Sequence, residues 1–303
     1  MQQDNSRSKI MIGKIPEPFF SVIIPTLNEE KRLPLILKDL EEQSLKDFEI
    51  IVVDAKSKDK TLDKVRELQK RLKDLKIIIS QKRNVGFQRN LGAKKAKAKW
   101  IIFMDADNRI SKNFLKEIKT QLDKYNPDIL STWMKPDTKR NKDKLIANLI
   151  NLFIEFQKKT KRPSILEAFL CIKKDSFNKL KGFNEKIKWA EGSEMMERAV
   201  KNKMKFVFLK KPSYKTSFRR IHKEGTFKIL VKLILLEINK VYNKSSSGKM
   251  TKILYPMNGG SYYLSDRNNK LDSKNILLKI REKITKVYKN KTKKLIRQRL
   301  DTG

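Results

Sequence analysis

Trp100-Ile101-Ile102-Phe103-Met104-Asp105-Ala106-Asp107 is the stretch that decides the fold. Five apolar residues in a row, closed by acids, read as a strand buried on both faces. Outward from it the same kind of run recurs at Phe20-Ser21-Val22-Ile23-Ile24, at residues 48–53 and at residues 75–79. Between these runs lie charged helical stretches at residues 29–43, 60–72, 86–98 and 111–125, with Ser111 as the expected N-cap of the last. Strands alternating with helices of this length predict βαβ crossovers: an α/β fold with a Rossmann-like, mostly parallel sheet and helices on both faces. Ligands of such sheets sit beyond the carboxyl ends of the strands, so function is expected in loops 25–28, 54–59 and 105–108.

The second half is less regular. It predicts a helix over residues 145–156, strands over 165–172, 206–209 and 214–218, and a helix running to about residue 203. An apolar helix over 227–241, a break at Ser245-Ser246-Ser247-Gly248 and a basic helical tail come after it.

Composition narrows the chemistry. With 303 residues, 39% of them hydrophobic, the chain can build a sizeable core. A single cysteine, Cys171, excludes a disulfide framework and Cys-based zinc. A single histidine, His222, excludes His-rich metal sites and argues against a Ser-His-Asp triad. Carboxylates remain, with a hard metal ion as their natural companion. Residues 1–9 are polar with no apolar segment behind them, and no run reaches 18 apolar residues. The expectation is a cytoplasmic protein that does not span a membrane by itself.

Asp105 and Asp107 stand at i and i+2 just past a strand, where extended side chains point the same way. Two such carboxylates can grip one Mg²⁺ or Mn²⁺ and, through it, a diphosphate. The plainer reading is a solvated turn in which Asp107 and Asn108 cap the next helix. Asp54 ends another apolar run and can accept from a base or a ribose hydroxyl, while Asp59 caps the helix from residue 60. Arg83 and Arg89 flank the turn at Asn84-Val85-Gly86 and can face phosphate, or simply form a solvated basic face.

Taken together, these residues resemble the family 2 glycosyltransferases. The match runs through Ser21-Val22-Ile23-Ile24-Pro25-Thr26-Leu27-Asn28-Glu29-Glu30, Phe48-Glu49-Ile50-Ile51-Val52-Val53-Asp54 with Ser57, Asp59 and Thr61, Arg89-Asn90-Leu91-Gly92, and Phe103-Met104-Asp105-Ala106-Asp107. Order and spacing agree over roughly residues 19–132 and more loosely to about 220. The resemblance implies a GT-A fold, a nucleotide-diphosphate sugar donor (a UDP-sugar first among them), a divalent metal and inversion at the anomeric carbon. It makes Pro25, Thr26 and Glu29 the first donor loop. Asp54 becomes one of a base- or ribose-binding acidic pair, with Ala55 where the second acid often stands. Asp105 then serves nucleotide and metal, and Asp107 metal and diphosphate.

The family also carries an acidic motif at a helix start that supplies the general base. Trp189-Ala190-Glu191-Gly192-Ser193-Glu194 resembles it, with Gly192 in place of the usual Asp. Glu191 is the expected base and Glu194 its substitute; both are also ordinary first-turn helix acids. Arg219 and Arg220 could clamp the diphosphate or be surface charge. Trp189 could stack on an acceptor sugar or lie in a core. His222 is expected to play no part. The chain thus divides into a polar extension (1–18), a nucleotide-sugar-binding half (19–132), an acceptor-binding half (133–225) and a basic helical tail (226–303).

The net charge of +38 asks for a partner. Residues 241–303 hold 16 basic and 4 acidic side chains. That tail suits an anionic membrane surface, where the acceptor would be a glycan or a lipid-linked glycan. Nucleic acid is the lesser reading, since no recognised nucleic-acid motif accompanies the charge. It leaves one alternative class: a polyanion-binding protein that uses the fold without catalysis. A third reading is compositional: Lys scattered over every exposed face, with no dedicated partner.

Overall fold

The structure, a computed structural model, describes residues 17–160, 162–187 and 191–226. One sheet contains β1 (Phe20–Thr26), β2 (Phe48–Asp54), β3 (Leu75–Ile79), β4 (Trp100–Met104), β5 (Ile129–Pro136), β6 (Phe169–Lys173) and β7 (Phe206–Thr216). Their order is β3-β2-β1-β4-β6-β5-β7. Pairing is parallel except around β6, which runs antiparallel to both β4 and β5. The helices are α1 (Leu33–Glu41), α2 (Thr61–Gln69), α3 (Val85–Lys95), α4 (Phe114–Tyr125), α5 (Asn141–Gln157), α6 (Lys174–Lys179), α7 (Glu191–Lys201) and α8 (Arg219–Glu224). The expected α/β sheet, mostly parallel with helices on both faces, is what forms.

Alternation along the strands explains the two layers. Phe20, Val22 and Ile24 pack with Leu33, Ile36 and Leu37 of α1, Val65 of α2 and Phe114 and Ile118 of α4. Ile23, Ile51 and Phe103 pack on the other face with Ala93 of α3, Phe177 of α6 and Met195 and Met196 of α7. At roughly 1.5–3 kcal/mol per buried Val, Leu, Ile or Phe, these clusters outweigh any surface ion pair at about 0–1 kcal/mol.

Several boundaries differ from the sequence expectation. α1 starts at Leu33 rather than residue 29, because the Glu29 N–H donates to Thr61 Oγ1 at 2.8 Å and the Glu30 N–H to Asp59 Oδ2 at 3.2 Å. Ser111 is not the N-cap of α4; its carbonyl accepts from Gln43 Nε2 at 2.8 Å and from the Phe114 N–H at 3.0 Å. β5 and α6 were not expected. β5 carries buried Ser131 and Thr132, which blur its apolar signal. β6 begins at Phe169, later than expected. β7 is one strand where two were expected, because a register shift leaves residues 210–213 opposite Trp133 alone before Tyr214 pairs with Met134. No described helix is long and apolar enough to cross a membrane. Trp189 and the tail beyond residue 226 lie outside the described residues.

Candidate active site

The carboxyl ends of β1, β2 and β4 lie side by side. Thr26 of β1 pairs with Asp54 of β2, and Asp105 follows directly on β4. The loops after β1 and β2 are laced to each other. Asn28, at a left-handed φ of 54°, donates its N–H to Ser57 Oγ at 2.8 Å and accepts from the Lys58 N–H at 2.7 Å. Asp54 is wholly buried, with Oδ1 accepting the Ser57 N–H at 2.8 Å and Oδ2 the Ser57 hydroxyl at 2.5 Å. From α3, Gln88 Nε2 donates to the carbonyls of Thr26 and Val53 at 3.0 and 2.7 Å. Pro25 lies buried in β1, and the Thr26 hydroxyl is buried without a partner.

The turn after β4 is pinned to the approach to β6. The Asp105 N–H donates to the Ala168 carbonyl at 3.1 Å, and the buried Asn108 amide donates to the same oxygen. Asn108 therefore fixes the acidic turn and does not cap the next helix.

Arg219 reaches this turn from α8. Its Nη2 lies 2.6 Å from Glu29 Oε1 and 3.3 Å from Asp107 Oδ2. Asp137, just past β5, sets its position by accepting the Phe218 N–H at 3.1 Å while pairing with Arg32 at 3.1 Å. Burial pushes the Glu29 carboxyl above its ordinary range, with Arg219 opposing. Burial and then the neighbouring Asp105 push Asp107 up to about 7, again against Arg219.

A second knot adjoins the first. Arg89 is 2% exposed; it donates from Nη1 to Glu191 Oε1 at 2.8 Å and from Nη2 to Asp105 Oδ1 at 2.9 Å and the Glu167 carbonyl at 3.2 Å. Expected to face phosphate or to form a solvated basic face, Arg89 is instead buried and bridges the carboxylates of Asp105 and Glu191 and the backbone carbonyl of Glu167. Glu167 was not singled out in the sequence. Its Oε1 accepts the Gly192 N–H at 2.7 Å, and the one sequence signal for it is the glycine that departs from the acidic motif.

The structure thus gathers Glu29, Asp105, Asp107, Arg219, Arg89, Glu191 and Glu167. It leaves others apart. Glu194 gives both oxygens to Arg198 of its own helix, at 2.9 and 2.8 Å. Arg83 is exposed, 3.4 Å from the Lys56 carbonyl, and Arg220 Nε lies 3.7 Å from Glu224. His222, expected to be idle, lies 2.9 Å from Asp143 of α5.

Among the described residues no group of three or more His, Cys, Asp or Glu side chains forms a metal cage. A pair of carboxylates completed by substrate phosphates nevertheless suits Mg²⁺ or Mn²⁺. The raised Asp107 carboxyl and the buried, unpartnered Oε2 of Glu29 mark negative charge that a cation would relieve. The residues present fit such an ion.

Comparison with known proteins bears on the family and the fold. The Glycosyl transferase family 2 model matches residues 21–180, more than half of the chain. The poly(ribitol-phosphate) β-N-acetylglucosaminyltransferase TarS of Staphylococcus aureus is 35% identical over 120 residues, 38% of this chain and 21% of that protein. Its crystal structure, 25% identical, covers 73% of this chain and 39% of TarS with a TM-score of 0.53. The dolichyl N-acetyl-α-D-glucosaminyl phosphate 3-β-D-2,3-diacetamido-2,3-dideoxy-β-D-glucuronosyltransferase of Methanococcus voltae is 38% identical over 102 residues, 32% of each chain. In sequence the match therefore spans a third or less of the length of these relatives. The mannosyltransferase PcManGT of Pyrobaculum calidifontis, solved with GDP-Man and Mn²⁺, shares the fold at 19% identity and a TM-score of 0.59, over 79% of this chain and 68% of its own. With a GT-A sheet, an acidic turn after β4 and a family match across both, the chain belongs to glycosyl transferase family 2.

Proposed function

We propose that the protein transfers a sugar from a nucleotide-diphosphate donor, with a UDP-sugar as first candidate, to a hydroxyl acceptor, inverting the anomeric carbon. The observation that carries this reading is the meeting of Glu29, Asp105, Asp107 and Arg219 at the ends of β1 and β4. The donor lies across the loops after β1, β2 and β4, within residues 19–132. Pro25, Thr26 and Glu29 border it, Asp54 and Ser57 face its base or ribose, and Asp105 and Asp107 face its diphosphate. Arg219 adds a planar cation suited to phosphate oxygens. A Mg²⁺ or Mn²⁺ ion held by Asp105 and Asp107 would neutralise charge on the departing diphosphate. An acid at the start of α7, where Glu191 and Glu167 stand, removes the acceptor's proton.

The acceptor binds in residues 133–225 and is a glycan or lipid-linked glycan offered at an anionic membrane face. Two features support that setting. The charge is +38, and α5 exposes Leu145, Leu149, Leu152, Phe153 and Phe156 along one side. Liposome flotation with and without residues 241–303 tests the membrane part; equal recovery would remove the tail from it.

The enzymatic part is tested by offering UDP- and GDP-sugars with Mn²⁺ and following nucleotide release. Release from one donor, abolished by Asp107→Ala in a folded protein, is the expected result. No release and no nucleotide binding would overturn the reading.

A further inference from the structure

In glycosyl transfer, the reaction on which this inference rests, the acceptor hydroxyl needs a carboxylate with an oxygen able to take its proton. Glu194 has both oxygens on Arg198. Glu191 is 4% exposed and its Oε1 is held by Arg89 at 2.8 Å. Asp105 and Asp107 border the donor side. Glu167 differs from Glu191 in exposure and in charge partner: it is half-buried rather than buried, its Oε1 is fixed by the neutral Gly192 N–H at 2.7 Å, and among the described residues its carboxylate makes no ion pair.

Gly192 explains how Glu167 comes to be there. A Cβ at position 192 would stand 2.5 Å from Glu167 Cγ and 2.8 Å from Oε1, too close for either to stay. Any side chain at 192 therefore displaces the Glu167 carboxylate. The helix start has no acid at this position, and an acid from the approach to β6 fills the same space. The exchange also keeps the carboxylate on the first backbone N–H groups of α7, which otherwise lack intrahelical partners.

We propose that Glu167 is the general base of the transfer, entering from the approach to β6 into the space left by Gly192, with Arg89 and Glu191 as its positioning residues. In the step, Glu167 Oε2 takes the acceptor's proton as the hydroxyl oxygen bonds to the anomeric carbon. The bond from that carbon to the diphosphate oxygen breaks, and its electron pair leaves on the diphosphate. Glu167 ends protonated and returns the proton to water. Burial and the adjacent Glu191 carboxylate hold Glu167 well above the usual carboxylate range, against the pull of Arg89, which makes it a better proton acceptor than an ordinary carboxylate.

The test uses the full chain and the UDP- or GDP-sugar that wild type hydrolyses fastest, with water as acceptor, alongside calorimetric binding of the matching nucleoside diphosphate. Glu167→Gln should lower kcat by about 100-fold or more while nucleotide affinity stays within about threefold. Glu167→Ala and Gly192→Asp should each be as impaired. The double variant Glu167→Ala/Gly192→Asp, which returns an acid to the helix, should regain about tenfold or more over Glu167→Ala. An unimpaired Glu167→Gln would overturn the assignment, as would a Glu167→Gln whose affinity falls as far as its rate. A double variant that binds nucleotide yet stays inactive would contradict the exchange. A wild type that binds no nucleotide would instead remove glycosyl transfer itself, and this inference with it.

Discussion

Glu29 and Arg219, 190 positions apart in the chain, meet at 2.6 Å between Oε1 and Nη2. Glu29 follows β1 and Arg219 opens α8, so this ion pair closes the chain's described end over its first strand. Asp107 shares the same guanidinium at 3.3 Å. One arginine thus offsets two largely buried acids, and its removal leaves only the weaker pull of Arg32 on both.

Arg219→Gln should therefore lower the unfolding free energy by about 3 kcal/mol, read from urea denaturation. It should also weaken UDP binding, because the same group faces the diphosphate. A midpoint unchanged from wild type would show that the pair carries no structural weight.

Asp107 gives a pH signature. Its folded-state carboxyl keeps its proton up to about 7, whereas the unfolded chain releases it near 3.8. Between those values the folded state binds more protons, so this group's contribution to stability falls as pH rises. Asp107→Asn removes that loss. Thermal unfolding should show the variant several degrees more stable than wild type at pH 7.5 and equal to it near pH 4, while donor turnover disappears. A variant less stable than wild type at pH 7.5 would contradict burial of the Asp107 charge as the source of the effect.

Ser57 ties the two donor loops through Asp54 and Asn28. Ser57→Ala should cost about 1–2 kcal/mol by leaving a buried carboxylate oxygen without its hydroxyl. In steady-state kinetics the donor KM should rise with kcat little changed, the mark of lost uniform binding. A fall in kcat at constant KM would place Ser57 nearer the chemistry than proposed.

Gly92 seats α3 on the sheet. A Cβ there would meet Ile23 Cγ2 at 2.4 Å and Val53 Cγ2 at 3.2 Å, so Gly92→Ala should destabilise by about 1–3 kcal/mol. Because Arg89 lies one turn earlier on the same helix, turnover should fall with stability. Full activity would mean that α3 can shift without moving Arg89.

Sequence alone carried the first half of the fold well. The runs at β1, β2 and β4 are apolar on both faces, and that pattern survives any tertiary context. Elements set by distant contacts were less legible. The start of α1 depends on Asp59 and Thr61, and β5 hides behind buried Ser131, whose hydroxyl is paired with the Phe169 carbonyl at 2.8 Å. The site divides the same way. Asp54, Asp105 and Asp107 stand at strand ends and could be found by position. Arg89 looked like a phosphate ligand because its acidic partners come from Asp105 and Glu191, 16 and 102 residues away. Glu167 belongs to no motif, and only the space above Gly192 gives it a place.

The most direct test of the acidic turn as a seat for a cation and a nucleoside diphosphate is calorimetric titration of UDP and GDP, with and without Mn²⁺, into wild type and Asp107→Ala. One nucleotide should bind wild type at least about tenfold more tightly with Mn²⁺, and Asp107→Ala should lose that gain while remaining folded. Binding that ignores the metal in wild type, or a gain that persists without Asp107, would contradict the account.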